Sequence, residues 1–278
     1  MKISLSFKYG YFQFILLLIF VFIYQSVSYS ATVEETFRKN ISFQQGGYLS
    51  IGNVNGNIKI IPWNKSEVEI AAHKEARASS QKEAGELMKK LNIVISEGDN
   101  KIEIETDMPR NDGYGNGFFD WLLGKGDCSC SVNYELKVPD QIDLNLNTTN
   151  GGIEIRGVTG RVRMQSTNGE LTAEDIKGFT RCKTTNGSIK VGFIQIPGDD
   201  EISFKTTNGS VTLYLPRDYA GRVDLKTTNG EIETDFPLRL EKDWSSSRHV
   251  KGSINSGGGE IQCSTTNGNI HLFYNNQI

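Results

Sequence analysis

Carboxylate and imidazole side chains are the groups in this sequence that could carry out acid–base chemistry. Cleavage of a polysaccharide needs two or three carboxylates, or a carboxylate and a basic residue, close together on neighbouring strands. Glu231 and Glu233 share one face of a strand, a pattern typical of a solvated surface. His73, His249 and His271 lie far apart in the sequence, and none has a recognisable partner. The sequence therefore predicts no catalytic residue and a protein that is not an enzyme.

The cysteines could bind metal or form disulfides, and two of the four are close together. Cys128 and Cys130 either form a small strained loop disulfide or are two free thiols. No second cluster of cysteine or histidine accompanies them, as a structural zinc site requires. We therefore expect neither a metal site nor a cofactor.

The most regular feature is a Thr-Thr-Asn-Gly tetrapeptide, as in KTTNGSIKV at residues 183–191. Asn-Gly is a strong tight-turn signal, because both residues tolerate positive φ. Related tetrapeptides recur along the chain, and their asparagines are predicted to be structural turn residues: Asn55, Asn150, Asn168, Asn186, Asn208, Asn229 and Asn267.

The residues around these asparagines alternate between apolar and polar. Nearly all the side chains six and four positions before each asparagine, and three and five positions after it, are apolar. The position four before, for example, holds Ile51, Leu146, Met164, Cys182, Phe204, Leu225 and Cys263. Period-two alternation predicts two short strands per repeat, with one face of each strand inward. Stacking such repeats buries a continuous core, so the predicted fold is an all-β parallel β-solenoid (β-helix) with coils of 18–22 residues.

This register places Cys182 and Cys263 inside the stack. If the coils stack in sequence order, the Phe204 and Leu225 coils separate the two thiols by three steps, or about 14 Å. That distance is too long for a disulfide, so both cysteines are expected to be buried free thiols.

The tetrapeptide could serve as scaffold or as a binding surface. Stacked asparagine amides can hydrogen-bond to their neighbours, and this favours the scaffold. Stacking in sequence order places Asn267 near the end of the column. If the repeat is instead a functional surface, the exposed Lys183, Lys205 and Lys226, which share one register position, are the candidate contacts.

The chain divides into four segments. Lys2 and Lys8 precede an apolar stretch, and small residues precede a possible cut after Ser30, which is the pattern of a secretory signal peptide; the alternative is an uncleaved membrane anchor. Residues 79–91 predict a helix, and a hairpin follows it. The predicted organisation is a signal peptide at 1–30, first strands and first coil at 31–61, a cap with the helix, hairpin and a Gly/aromatic loop at 62–139, and solenoid repeats at 140–278.

The Gly-rich stretch within residues 109–131 contains a cluster of large apolar side chains: Phe118, Phe119, Trp121 and Leu122. These side chains either fold back over the solenoid or form an exposed contact for a partner. They are the candidate partner-contact residues.

The net charge is −3, and removal of the two leader lysines leaves 28 basic and 33 acidic residues, about −5. A mildly acidic chain gives no reason to expect nucleic-acid binding. Contact with a membrane is expected only through the signal peptide.

Three blocks of sequence resemble the bacterial adhesin-like DUF4097 family of β-strand repeat proteins. They are GGYLSIGNVNGNIKIIPWNKSEVEIAAHKEA, VNYELKVPDQIDLNLNTTNGGIEIRGVTGRVRMQSTNGELTAEDIKG and VKGSINSGGGEIQCSTTNGNIHL. The resemblance covers nearly all of residues 41–273. It implies a right-handed parallel β-solenoid outside the inner membrane, with no catalytic residues to carry over.

The sequence thus predicts a non-catalytic, exported, adhesin-like scaffold or binding protein of the periplasm or cell surface. Its expected partner is an unknown envelope protein or a glycan. The alternative is a carbohydrate-active or glycan-binding β-helix protein of the cell envelope.

Overall fold

The computed structural model describes residues 31–109, 129–197, 202–241 and 246–275. These residues form two large β-sheets and one short helix, so the predicted all-β class is confirmed. The two sheets do not close into a barrel. Within the described ranges, no helix has the length and apolar character needed to span a bilayer.

The first sheet contains ten strands. Their spatial order is β1 (Ala31–Ser42), β4 (Glu67–Ala78), β7 (Ser129–Pro139), β3 (Ile58–Trp63), β9 (Ile153–Arg156), β11 (Leu171–Lys177), β13 (Ile189–Gln195), β15 (Val211–Leu215), β21 (Ile270–Tyr274) and β17 (Ile232–Thr234).

The second sheet contains eleven strands. Their spatial order is β18 (Leu238–Leu240), β19 (His249–Ile254), β16 (Gly221–Asn229), β20 (Glu260–Asn267), β14 (Ile202–Lys205), β12 (Thr180–Lys183), β10 (Val162–Gln165), β8 (Ile142–Asn147), β2 (Gly47–Gly52), β6 (Lys101–Asp107) and β5 (Asn92–Gly98).

From β8 to β15 the chain alternates between the two sheets, and each strand lies parallel to the next strand of its own sheet. The pairing follows the sequence repeat: Met164 on β10 aligns with Leu146 on β8 and with Cys182 on β12. These inward side chains are buried in one continuous core. The predicted register is therefore confirmed, and the topology is consistent with a β-solenoid.

The N-terminal end of both sheets is extended by strands outside the repeat. The antiparallel pair β5–β6 continues the second sheet beyond β2, and β7, β4 and β1 continue the first sheet beyond β3. Helix α1 (Gln81–Lys90) packs against β4 and β1. The Ser80 hydroxyl caps the helix by accepting from the Glu83 backbone N–H, and Ala84 and Met88 face the interior.

The last coil does not stack in sequence order. Strand β20 lies between β14 and β16, and β21 lies between β15 and β17. The C-terminal coil is therefore an internal layer of both sheets. The expectation that Asn267 lies near the end of the column is wrong, because Asn267 has Asn208 on one side and Asn229 on the other. Antiparallel strands β19 and β18 then continue the second sheet beyond β16.

This stacking order also changes the expected distance between the inward cysteines. Phe204 alone lies between Cys182 and Cys263, so two strand steps separate them, or about 10 Å, instead of three. The separation still exceeds the reach of a disulfide. Both residues are buried free thiols, as predicted.

Candidate binding face

The outward side of the second sheet concentrates positive charge on three neighbouring strands. On β10, β12 and β14 the inward residues are buried, and the alternate side chains point outward and are exposed or partly exposed. We call these exposed cations the basic face: Arg161, Arg163, Arg181, Lys183 and Lys205.

Cations of the basic face lie directly opposite one another. Arg163 pairs in register with Arg181, and Lys183 pairs with Lys205. Like charges in this arrangement destabilise a sheet by a few tenths of a kcal/mol to about 1 kcal/mol per pair. Within the described ranges no carboxylate forms an ion pair with any of these four residues. The basic face therefore carries charge that the fold itself does not neutralise.

The outward side of the first sheet is arranged differently. There the Arg156 guanidinium lies 3.2 Å from the Glu154 carboxylate and 3.4 Å from that of Glu174. The Lys137 ammonium lies 2.8 Å from the Glu69 carboxylate, which lowers the pKa of Glu69 mainly through this hydrogen bond. Ion pairs thus neutralise these two cations of the first sheet, whereas Arg163, Arg181, Lys183 and Lys205 have none among the described residues.

A column of asparagines holds the strands of the basic face in register. Each asparagine donates its side-chain amide to the side-chain oxygen of the neighbouring one at 2.7–2.8 Å. The donors and acceptors are Asn150 to Asn55, Asn168 to Asn150, Asn186 to Asn168, Asn208 to Asn186, Asn267 to Asn208 and Asn229 to Asn267. All of these bonds run in one direction, and the last donor, Asn55, reaches the Cys130 carbonyl at 3.1 Å.

The other residues of the tetrapeptide also have structural contacts. The first threonine of the tetrapeptide is buried, and its hydroxyl donates to a glycine carbonyl of the neighbouring coil. The Thr206 hydroxyl, for example, donates to the Gly187 carbonyl at 2.8 Å. Gly209 has a φ of +154°, and a Cβ there would lie 2.1 Å from the Gly187 carbonyl oxygen. The coils therefore approach one another too closely at this corner for any side chain.

A cleft of about 410 Å³ adjoins the basic face on β2, β8, β10 and β12. One row of side chains crosses it from strand to strand, in the order Tyr48, Asp143, Arg161 and Phe179. The Arg161 guanidinium lies 5.8 Å from the centre of the Phe179 ring, and the Asp143 carboxylate accepts the Arg161 backbone N–H at 2.7 Å. A second row places Asn145 beside Arg163. The cleft thus combines two rings, hydrogen-bonding groups and guanidinium groups.

The buried thiols beneath this surface are poor candidates for chemistry. Burial raises the pKa of Cys182 and of Cys263 well above the usual thiol range. A thiol that stays protonated is a weak nucleophile. These side chains therefore act as small apolar residues of the core.

The structure corrects the expectation that the histidines have no partners, and it adds a detail to the expectation about the lysines. The histidines do have carboxylate neighbours: His249 lies 2.9 Å from Asp224, and His271 lies 3.1 Å from Glu233. The second pair forms because the inserted coil brings β21 beside β17. Lys226 shares its register position with Lys183 and Lys205, as predicted, and Ser264 of the inserted coil lies between Lys226 and Lys205.

The candidate partner-contact residues Phe118, Phe119, Trp121 and Leu122, together with Cys128, lie outside the described residues. The arginines of the basic face are absent from the sequence-based candidates, although Arg163 and Arg181 share a repeat position five residues before an asparagine.

These features define an all-β repeat protein whose described residues include an unneutralised basic surface. The chain belongs to the Toastrack DUF4097 family, whose family model matches residues 49–272. This confirms the resemblance found in the sequence.

Three solved structures are similar to this chain at low identity. A "putative cell adhesion protein" from Clostridium sporogenes is 13% identical, with 88% of this chain and 100% of that one covered and a TM-score of 0.49. A "putative adhesin" from Bacteroides fragilis is 10% identical, with 86% and 97% covered and a TM-score of 0.39. A "putative adhesin" from Parabacteroides merdae is 11% identical, with 86% and 96% covered and a TM-score of 0.22. No curated protein matches the chain.

Proposed function

We propose that this chain is an exported, non-catalytic, adhesin-like binding protein of the cell envelope, and that it binds an anionic partner through the basic face. The Thr-Thr-Asn-Gly repeat is its scaffold. The repeat residues hold the strands at fixed spacing, and the exposed side chains of those strands provide the contacts.

The proposed scaffold is a right-handed β-solenoid. The stacked asparagines are separated in sequence by 18, 18 and 22 residues from Asn150 to Asn208, which supports coils of 18–22 residues. The N-terminal strands and helix α1 act as its cap, since they extend both sheets beyond the first coil.

One observation carries the proposal: the basic face repeats like-charge pairs that form no ion pair within the described residues. The pairs Arg163–Arg181 and Lys183–Lys205 follow one another across three strands. A bound anion would remove the repulsion within each pair, whereas the free protein retains it. The net charge of −3 makes the whole chain a poor polyanion binder, so any such binding must come from a local surface.

Retention on immobilised polyacrylate, eluted with a salt gradient, tests the proposal. We expect the full chain to be retained at low salt and the double variant Arg163→Gln/Arg181→Gln to elute much earlier. The matched control is Lys82→Gln/Lys90→Gln, which removes the same charge from exposed positions of helix α1. If the two double variants elute together, retention follows net charge, and the basic face is not the binding surface.

A further inference from the structure

The row of side chains across the cleft indicates how an anionic ligand would lie. Tyr48 and Phe179 are three strand steps apart, or about 14 Å. Asp143 and Arg161 lie between the two rings, and both rings are half-buried and line the cleft. A ligand that contacts both rings must therefore run across the strands and pass a carboxylate and a guanidinium on the way.

The second row adds cations along the same direction. Asn145, Arg163 and Arg181 follow one another on β8, β10 and β12, at a spacing of about 4.8 Å per strand. A guanidinium fork binds a carboxylate or another oxyanion through two parallel hydrogen bonds. Two arginines on adjacent strands therefore suit a polymer that carries acidic groups repeatedly along its length.

We propose that the basic face and its cleft bind an acidic polysaccharide, a chain of sugar rings bearing carboxylate or sulfate groups, laid across β2, β8, β10 and β12. This inference rests on the proposed function and names the ligand class of the same surface. Arg163 and Arg181 bind the acidic groups. Tyr48 and Phe179 pack against the apolar faces of the sugar rings, and Asp143 and Asn145 bind sugar hydroxyls.

A nucleic acid fits this surface less well. A nucleic-acid-binding domain usually has a pI above about 9, whereas this chain has a pI of about 5.8. In addition, the Asp143 carboxylate lies in the cleft between the two rings, where it repels any phosphate, carboxylate or sulfate group, so the acidic groups of a ligand must lie beside Arg163 and Arg181 and a neutral group must lie beside Asp143. The same carboxylate can accept a hydrogen bond from a sugar hydroxyl.

An anionic membrane also fits less well. Polybasic membrane contacts act by accumulated charge near a lipid surface. The basic face and its cleft instead place an acid, an amide and two half-buried rings among the cations. Such a mixture of groups is typical of a site that recognises the shape and hydroxyl groups of a ligand.

Titration calorimetry with defined probes tests the inference on the full chain. The probes are an oligogalacturonate, its carboxyl-reduced neutral counterpart, inorganic polyphosphate, a single-stranded oligodeoxynucleotide and vesicles of phosphatidylglycerol. We expect the oligogalacturonate to bind more tightly than every other probe. The neutral counterpart should bind at least about tenfold more weakly, because it forms no charge-assisted hydrogen bonds.

Three variants assign the roles. Arg163→Gln/Arg181→Gln should lose about tenfold or more in affinity for the oligogalacturonate. Tyr48→Ala should lose about two- to tenfold with an unchanged salt dependence, because it removes a ring contact and no charge. The control Lys82→Gln/Lys90→Gln should bind like the unmodified chain.

The outcomes separate this inference from the proposed function. Equal binding of oligogalacturonate and polyphosphate, or tighter binding of the oligodeoxynucleotide or the vesicles, would overturn the polysaccharide assignment and leave an anion-binding face. Failure of every anionic probe to bind would overturn both. If a variant does not fold, the comparison among probes on the unmodified chain decides the assignment.

Discussion

Because the C-terminal coil is inserted between two earlier coils, Asn267 should contribute more to stability than Asn229. Stacking in sequence order would predict the opposite ranking. Asn267 takes part in two side-chain amide bonds, one to Asn208 at 2.7 Å and one from Asn229 at 2.8 Å. Asn229 stands at the end of the column and takes part in one. A net hydrogen bond contributes about 0.5–1.5 kcal/mol. We therefore expect Asn267→Ala to lower the free energy of unfolding by about 1–3 kcal/mol, and Asn229→Ala by about half as much.

Urea unfolding of the two variants, each compared with the unmodified chain, measures this difference. Asn208→Ala is the internal reference, because Asn208 also has two such bonds and should match Asn267→Ala. The side chains of Asn208, Asn229 and Asn267 are all exposed, so their removal leaves no buried cavity that would complicate the comparison. A loss in Asn229→Ala that equals or exceeds the loss in Asn267→Ala would refute the stacking order.

Three further predictions concern the corner, the core and the leader. Gly209→Val combines a positive φ with a backbone collision, and it should lower the free energy of unfolding by about 1–3 kcal/mol from strain and by a similar amount from overpacking. The control is Gly257→Val, where φ is +77° but no atom lies within 4 Å of the added Cβ. In the same urea assay this control should lose only the contribution from strain. Phe204→Ala should lower the free energy of unfolding by about 3–5 kcal/mol, since Phe204 is buried and packs edge-on against Phe193; a loss below about 1 kcal/mol would contradict the register. Mass spectrometry of exported protein should find Ala31 at the N-terminus, and an intact leader would argue against cleavage after Ser30.

The local architecture could be predicted from the sequence because each coil repeats the same pattern. The apolar positions around each asparagine fixed which side chains face the core, and this prediction holds for Met164, Cys182 and Phe204. The order of the coils could not be predicted in the same way. Every coil presents equivalent turn and core residues, so the register is equally satisfied whichever coil lies next to another. The structure alone shows that 59 residues separate the neighbours Asn208 and Asn267.

The composition of the candidate site depends on the stacking order of the coils more strongly than the composition of the core does. The cations of the basic face can be read from their positions in the repeat, but the lack of ion pairs at Arg163, Arg181, Lys183 and Lys205 in the described residues depends on which strands adjoin them. The cleft also requires Tyr48, which reaches Asp143 across 95 residues of chain. Tyr48 and Asp143 are neighbours despite their distance in the sequence, whereas Lys226 and Lys205 have the same repeat position and are not neighbours. The inserted coil separates these two lysines.

The central claim is that the basic face serves binding at a cost to stability, and Arg181→Gln tests it most directly. Urea unfolding and polyacrylate retention are measured on the same preparation. Removal of one charge from the Arg163–Arg181 pair should raise the free energy of unfolding by a few tenths of a kcal/mol, up to about 1 kcal/mol, while the variant elutes from polyacrylate at lower salt. A variant that is less stable than the unmodified chain and is retained equally well would show that Arg181 is a structural residue, and it would contradict the claim.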